Sequence, residues 1–169
     1  MELSEVLTVL SRANGVSGQE DGAAAAAMTF LSPMVDRVEM TPLGNLIGYR
    51  ASRHADAKTV LLDAHLDQVG LVVTGQKDGR LTFTGGVGGV DDRMLPGLQV
   101  MVLTEPVRYG VISCGGSDAE EDKPIARTDL RIDCGISEEE AKTIPVGTRI
   151  AYATEPWSVG THFFGKSLD

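Results

Sequence analysis

The chain has 169 residues, 42% of them hydrophobic and 23% charged, so it is long enough to bury a core as one domain or two small ones. Its formal net charge of -9, with no Lys/Arg cluster beyond the scattered Arg50, Arg53 and Lys58, argues against a nucleic-acid groove. The longest apolar run, residues 23–28, is mostly alanine and far short of the ~20 residues that a membrane span requires. The N-terminus also lacks the pattern of a secretory signal, which makes a cytoplasmic location the expectation.

Leu3, Val6, Leu7 and Leu10 follow the i, i+3, i+4, i+7 spacing of an amphipathic helix, ended by Asn14-Gly15. Ser17 and Glu20 have the spacing of a capping box, and behind them Ala24, Ala27, Met28, Leu31 and Met34 line one face of a second helix, with Pro33 near its end. Residues 35–40 and 45–50 read as strands around the turn Pro42-Leu43-Gly44. Residues 59–63 are short, apolar and β-branched, the pattern of a strand covered on both faces.

After Gly70 the texture changes. Strand-like runs at 71–74, 80–84, 99–104, 109–113 and 129–134 are separated by turns rich in Gly, Pro and Asp. Lys77-Asp78-Gly79 suits a hairpin loop, whereas 85–89 reads as a corner of the chain. Ser137 with Glu140 predicts a capped short helix to about Ile144, its three glutamates at the positive end, and 148–154 returns to strand. The chemistry-bearing stretch is Leu61-Leu62-Asp63-Ala64-His65-Leu66-Asp67, where a predicted strand runs into a His-x-Asp pair. In an open α/β sheet, ligands bind at the carboxyl ends of strands. Neutral imidazole ligates zinc and similar ions, and a carboxylate two residues on can orient the histidine or a water-activating base. Cys114 and Cys134 have no CxxC spacing and read as free thiols.

Three segments then raise the His-x-Asp pair above a chance occurrence. Gly15-Val16-Ser17-Gly18-Gln19-Glu20, Pro42-Leu43-Gly44-Asn45-Leu46 and Ala64-His65-Leu66-Asp67-Gln68-Val69-Gly70 resemble, in order and spacing, landmarks of the glutamyl/deblocking aminopeptidases. Leu95-Pro96-Gly97, Asp129-Leu130-Arg131-Ile132-Asp133 and Gly165-Lys166-Ser167-Leu168-Asp169 resemble later ones. Some members of that family carry cellulase or endoglucanase names.

The resemblance implies an α/β fold: part of an α/β/α aminopeptidase catalytic domain (residues 1–70), a β-rich, PDZ-like insertion (71–162), and a return to the catalytic domain at 163–169. It further implies two divalent ions, zinc or cobalt, with His65 a ligand to one, Asp169 bridging both and Asp67 in a catalytic, orienting role just outside the ligand shell. A peptide is the implied substrate and a homo-oligomer the implied assembly, with neither nucleic acid nor membrane as partner.

Gln68 stands where the family usually has glutamate, Thr41 where an acid often precedes Pro-Leu-Gly-Asn, and the acidic loop 115–123 where a proline-histidine turn is common. The family's glutamate pair, later aspartate and final histidine would lie beyond residue 169. The expectation is therefore an N-terminal half that binds metal weakly or not at all by itself and needs its C-terminal half or self-association. Asp91-Asp92-Arg93, His54 and His162 are minor alternatives as ligands, and Glu120, Glu121 and Asp122 read as a solvated loop. The competing reading is a non-catalytic interaction or oligomerisation module of the same fold.

Overall fold

The computed structural model describes residues 2–114 and 125–168. Two compact units divide the chain, one built from the residues through Asp67 together with those from Pro156 onward, the other from Gln68–Glu155.

In the first unit the predicted helices form as α1 (Leu3–Arg12) and α2 (Asp21–Leu31), the second continued by a 3-10 turn at Ser32–Met34. Strands β1 (Arg37–Met40) and β2 (Leu46–Tyr49) pair antiparallel in the register Arg37↔Tyr49, with the Arg37 guanidinium 4.1 Å above the Tyr49 ring. The alanine-rich α2 packs on both α1 and β2. Gly48 is held so close to Leu31 that a Cβ there would lie 3.0 Å from its side chain. The buried set is small: Val16, Ala24 and the hydroxyl-bearing Ser11.

Two expectations for this unit are corrected. Ser17 and Glu20 do not make a capping box: Glu20 itself occupies the N-cap of α2 without a side-chain hydrogen bond, and its carboxylate instead accepts from the Gly18 N–H. Residues 59–63 do not form a strand, and Val60, Leu61 and Leu62 are 77%, 84% and 90% exposed. A strand apolar on both faces needs neighbours beside it and layers above and below; among the described residues no strand pairs with this segment, because β1 and β2 pair only with each other.

Beyond Pro156 the sequence holds a hairpin that its composition did not announce. Strands β9 (Trp157–Val159) and β10 (His162–Phe164) pair with Phe164 opposite Trp157, and their rings stack with centroids 4.2 Å apart. The chain then runs back against the end of α1, where Lys166 Nζ donates to Asn14 Oδ1 at 2.6 Å and Gly165 sits too close to Ser11 for any side chain.

The second unit is rich in strands, which form a closed six-stranded barrel in the order β3-β4-β7-β6-β5-β8. Its strands are β3 (Gly70–Lys77), β4 (Arg80–Val87), β5 (Gln99–Val102), β6 (Arg108–Cys114), β7 (Leu130–Asp133) and β8 (Arg149–Tyr152). Period-two alternation sends Leu71 and Val73, Leu81 and Phe83, Val100 and Val102, Leu130 and Ile132 into one core. The β3–β4 loop is the predicted tight hairpin: Asp78 (φ 53°) and Gly79 (φ 76°) are both left-handed, as a type I′ turn demands. Helix α3 (Glu138–Lys142) has the predicted capping box, Ser137 Oγ accepting from Glu140 N while Glu140 accepts from Ser137 N, and places Ala141 and Ile144 in the barrel core. No helix among the described residues is long and apolar enough to cross a membrane.

Candidate functional site

His65 and Asp67 lie on the extended segment at the end of the first unit's N-terminal part, and the α1–α2 connection is shaped to meet them. Gly15 lets the connection approach closely: a Cβ there would stand 2.6 Å from the Ala23 side chain and 3.3 Å from the Leu66 carbonyl oxygen. Val16, fully buried, anchors a tight turn closed by Gln19 N donating to Val16 O at 2.8 Å, with Gly18 in the left-handed region (φ 84°). This turn delivers the Ser17 hydroxyl, which donates to Asp67 Oδ2.

On its other side Asp67 meets the histidine. His65 Nδ1 lies 2.9 Å from the Asp67 carbonyl oxygen and 3.1 Å from Asp67 Oδ1. Both partners accept, so Nδ1 carries the proton, and in its neutral form the ring then has its lone pair on Nε2. The Asp67 carboxyl is held below the usual carboxylate range, first by the Ser17 hydrogen bond and then by His65, with partial burial opposing them. Its side chain remains 40% exposed and that of His65 62% exposed.

The arrangement limits the chemistry. Ser17 donates to the carboxylate and the carboxylate accepts from the imidazole, so the acid stands between the two. A nucleophilic serine needs the imidazole next to its hydroxyl, and this geometry does not supply that. A histidine with Nδ1–H fixed on a carboxylate is instead the arrangement that orients a ligand toward a divalent ion and raises its basicity. The donor chemistry therefore fits such an ion at Nε2. Among the described residues no group of three or more His, Cys, Asp and Glu side chains gathers into a complete site.

The depressed Asp67 pKa has a pH consequence. Relative to an unfolded value near ~3.9, a lowered folded value contributes stability that is present above that pH and is lost as pH falls through the folded pKa. A titration of the Asp67 carboxyl carbon by NMR is expected to show a midpoint below the ordinary aspartate value. In Ser17→Ala the midpoint moves up toward the ordinary aspartate value, and an unchanged midpoint would remove Ser17 as the leading cause.

The other candidates are placed differently. Asp169 and the acidic run Glu120, Glu121 and Asp122 lie outside the described residues. Asp91 caps the 3-10 turn Asp92–Met94 and binds Arg93, which lowers its pKa to about 2, while Asp92 pairs with Arg127, whose Nη2 also donates to Val90 O at 3.2 Å. This motif is a brace within the barrel unit. His54 is exposed, and His162 lies on β10 with its ring 6.5 Å from that of Phe164. Both cysteines carry free thiols, and burial pushes the Cys134 thiol up. A groove of about 620 Å³ between α2 and the β1–β2 turn, bordered by Glu20, Ala24, Met28, Met40 and Leu43, does not include His65 or Asp67. Sequence reasoning missed Ser17, whose spacing to Glu20 pointed to a helix cap; Gly15 and Gly18 on either side were the available sign of a special backbone.

Residues 44–169 match the family described as M42 glutamyl aminopeptidase. Over 159 residues the chain is 28% identical to a protein of Acetivibrio thermocellus that bears an aminopeptidase name, covering 92% of this chain and 46% of that one. The solved structure of a Thermotoga maritima protein named endoglucanase aligns with a TM-score of 0.79 at 34% identity, covering 94% of this chain and 48% of that one. The TET1 peptidase of Pyrococcus horikoshii, which can assemble into a tetrahedron or a large octahedral shell, aligns with a TM-score of 0.72 at 31% identity, covering 90% and 47%. The chain thus spans just under half the length of these relatives. A match over most of its residues, spanning the His-x-Asp segment and the whole barrel, shows that the chain belongs to the M42 glutamyl aminopeptidase family.

Proposed function

We propose that this chain supplies the N-terminal part of a metal-dependent aminopeptidase that removes N-terminal residues from peptides, with His65 and Asp169 as metal ligands and Asp67 orienting the site. The observation that carries this reading is the His65 Nδ1 contact with Asp67, which commits the ring to one tautomer and presents Nε2 as a ligand atom. Two divalent ions, zinc or cobalt, would supply a polarised carbonyl and an activated water at neutral pH. Asp67 keeps the proton on the far side of the ring, and the α1–α2 connection keeps Asp67 in place. Gly165 and Lys166 pack against Ser11 and Asn14, which ties the described return segment to the end of α1 and the start of the connection that meets His65 and Asp67.

The remaining ligands and the general base come, in this reading, from the rest of the catalytic domain, so the chain by itself does not hydrolyse peptides. The barrel serves as the family's PDZ-like insertion and contributes contacts between copies in a homo-oligomer, a role supported by likeness to a shell-forming peptidase. The reading carries a cytoplasmic location with it.

The test is reconstitution: the chain combined with the complementary half of the catalytic domain, assayed for bound zinc or cobalt and for hydrolysis of leucyl- and glutamyl-anilides. His65→Ala is expected to lose metal and to lower kcat/KM by at least ~100-fold, the upper end of what loss of even an outer partner costs. Normal metal content with full activity in that variant would refute the ligand assignment. A reconstituted wild type that binds no metal and cleaves nothing would favour the interaction module.

A further inference from the structure

We propose that Ser17 is a positioning residue for the His65 site, its hydroxyl fixing the Asp67 carboxylate so that the carboxylate can fix the imidazole. This rests on the reading of His65 as a ligand and Asp67 as its orienting partner. A carboxylate bound through one oxygen still rotates about its Cβ–Cγ bond. Here Oδ1 meets His65 Nδ1 at 3.1 Å and Oδ2 accepts from Ser17, so both oxygens are engaged and the plane of the group is set. The second hydrogen bond matters because the pair is not enclosed: with 40% of the Asp67 side chain and 62% of the His65 side chain exposed, packing alone does not hold either in place.

Ser17 is delivered by a turn whose backbone is fixed by its neighbours. Glu20 occupies the N-cap of α2, and its carboxylate accepts from the Gly18 N–H, so Ser17 and Glu20 do not form a capping box. Val16 is wholly buried beside it, Gly18 has a positive φ, and Gly15 permits the approach to the Leu66 carbonyl, between the two residues of the pair. The backbone of this connection is thereby docked on the segment that carries the site, and the serine is its reach into it. Neither a proton nor a bond is transferred in this role: the hydroxyl donates, the carboxylate accepts, and the imidazole keeps its Nδ1 proton.

The experiment uses the metal-free, ¹⁵N-labelled full chain, in which His65 is one of three histidines. Long-range ¹H–¹⁵N spectra of the metal-free chain report the tautomer, and titration with zinc ion of the chain combined with the complementary half of the catalytic domain reports affinity. Wild type is expected in the Nδ1–H form. Ser17→Ala is expected to raise the Nε2–H form and to weaken zinc binding about 10-fold, the low end of the effect of losing an outer partner. Ser17→Thr, which keeps the hydroxyl, restores both. Should alanine disturb the turn, Ser17→Cys makes the same comparison with a side chain of similar shape and a weak donor.

A wild-type tautomer and zinc affinity in whichever of these two variants folds, while Asp67→Asn alters both, would overturn the proposal. So would a folded Ser17→Thr as defective as alanine. Failure of the metal reading is separable: zinc binding unchanged in His65→Ala would refute the ligand role, whereas the tautomer shift in metal-free Ser17→Ala reads the Ser17 effect directly.

Discussion

Leu81→Ala is expected to destabilise the barrel unit by about 2–5 kcal/mol, the range for emptying a buried leucine site. Leu81 has no exposed surface, and it is the residue of β4 registered against Ile132 of β7, where those two strands meet. Each of the two strands is also tied to a further neighbour, β4 to β3 and β7 to β6, so neither can move inward to fill the void without breaking a ladder. The barrel interior supplies no water-exposed route by which the cavity could be solvated, since Leu71, Val73, Val100, Val102 and Ile150 around the core are equally buried. Urea unfolding followed by the methyl signals of Leu and Ile in this unit would measure the loss. The single tryptophan, Trp157, groups with the other unit and serves as the internal comparison. A change below ~0.5 kcal/mol, typical of a surface substitution, would mean that the β4–β7 contact is not closed in solution.

The second large effect concerns association. In the proposed function, Val60, Leu61 and Leu62 await the rest of the catalytic domain, and their exposure of 77%, 84% and 90% measures the apolar surface left to cover. Burying a leucine side chain is worth about 1.5–3 kcal/mol. The double variant Leu61→Lys, Leu62→Ser therefore forfeits about 3–6 kcal/mol, a loss of roughly 10² to 10⁴ in affinity for the complementary half. The chain's own urea midpoint should scarcely move, because substitutions at such exposed positions usually fall within about ±0.5 kcal/mol. Titration of labelled chain with the complementary half separates the two effects. Undiminished association would show that this ribbon is not part of the docking surface.

What could be read from the sequence was whatever is encoded locally. The strand-like runs at 71–74 and 80–84 marked strands, Lys77-Asp78-Gly79 marked the hairpin between them, and Ser137 with Glu140 marked the start of α3, because each of these is decided within a few residues. The His65–Asp67 contact was legible for the same reason, the two being separated by one residue. Ser17 was not, since it reaches Asp67 across 50 positions and sequence spacing carries no trace of that meeting. The same Ser-x-x-Glu pattern that caps α3 fails at α2, where the carboxylate and the Gly-rich backbone compete for its members. Residues 59–63 have the composition of a central strand, but a strand is a property of its neighbours as well as of its own side chains, and the described chain offers it none. Barrel closure was hidden too: the runs could be counted, whereas the order β3-β4-β7-β6-β5-β8 depends on which distant edges meet.

Closure also decides how the second unit can meet other molecules. None of its six described strands lacks a neighbour on either side, so none of them is an edge to which an incoming chain could add by backbone hydrogen bonding. The two-stranded β1–β2 and β9–β10 pairs of the first unit, by contrast, have open outer edges. Among the described strands, open edges thus lie in those hairpins, and the barrel strands could meet a neighbour only through the shape and charge of their outward side chains. Any such contact would be the more readily altered by single substitutions, because no shared ladder would hold a mismatched pair together.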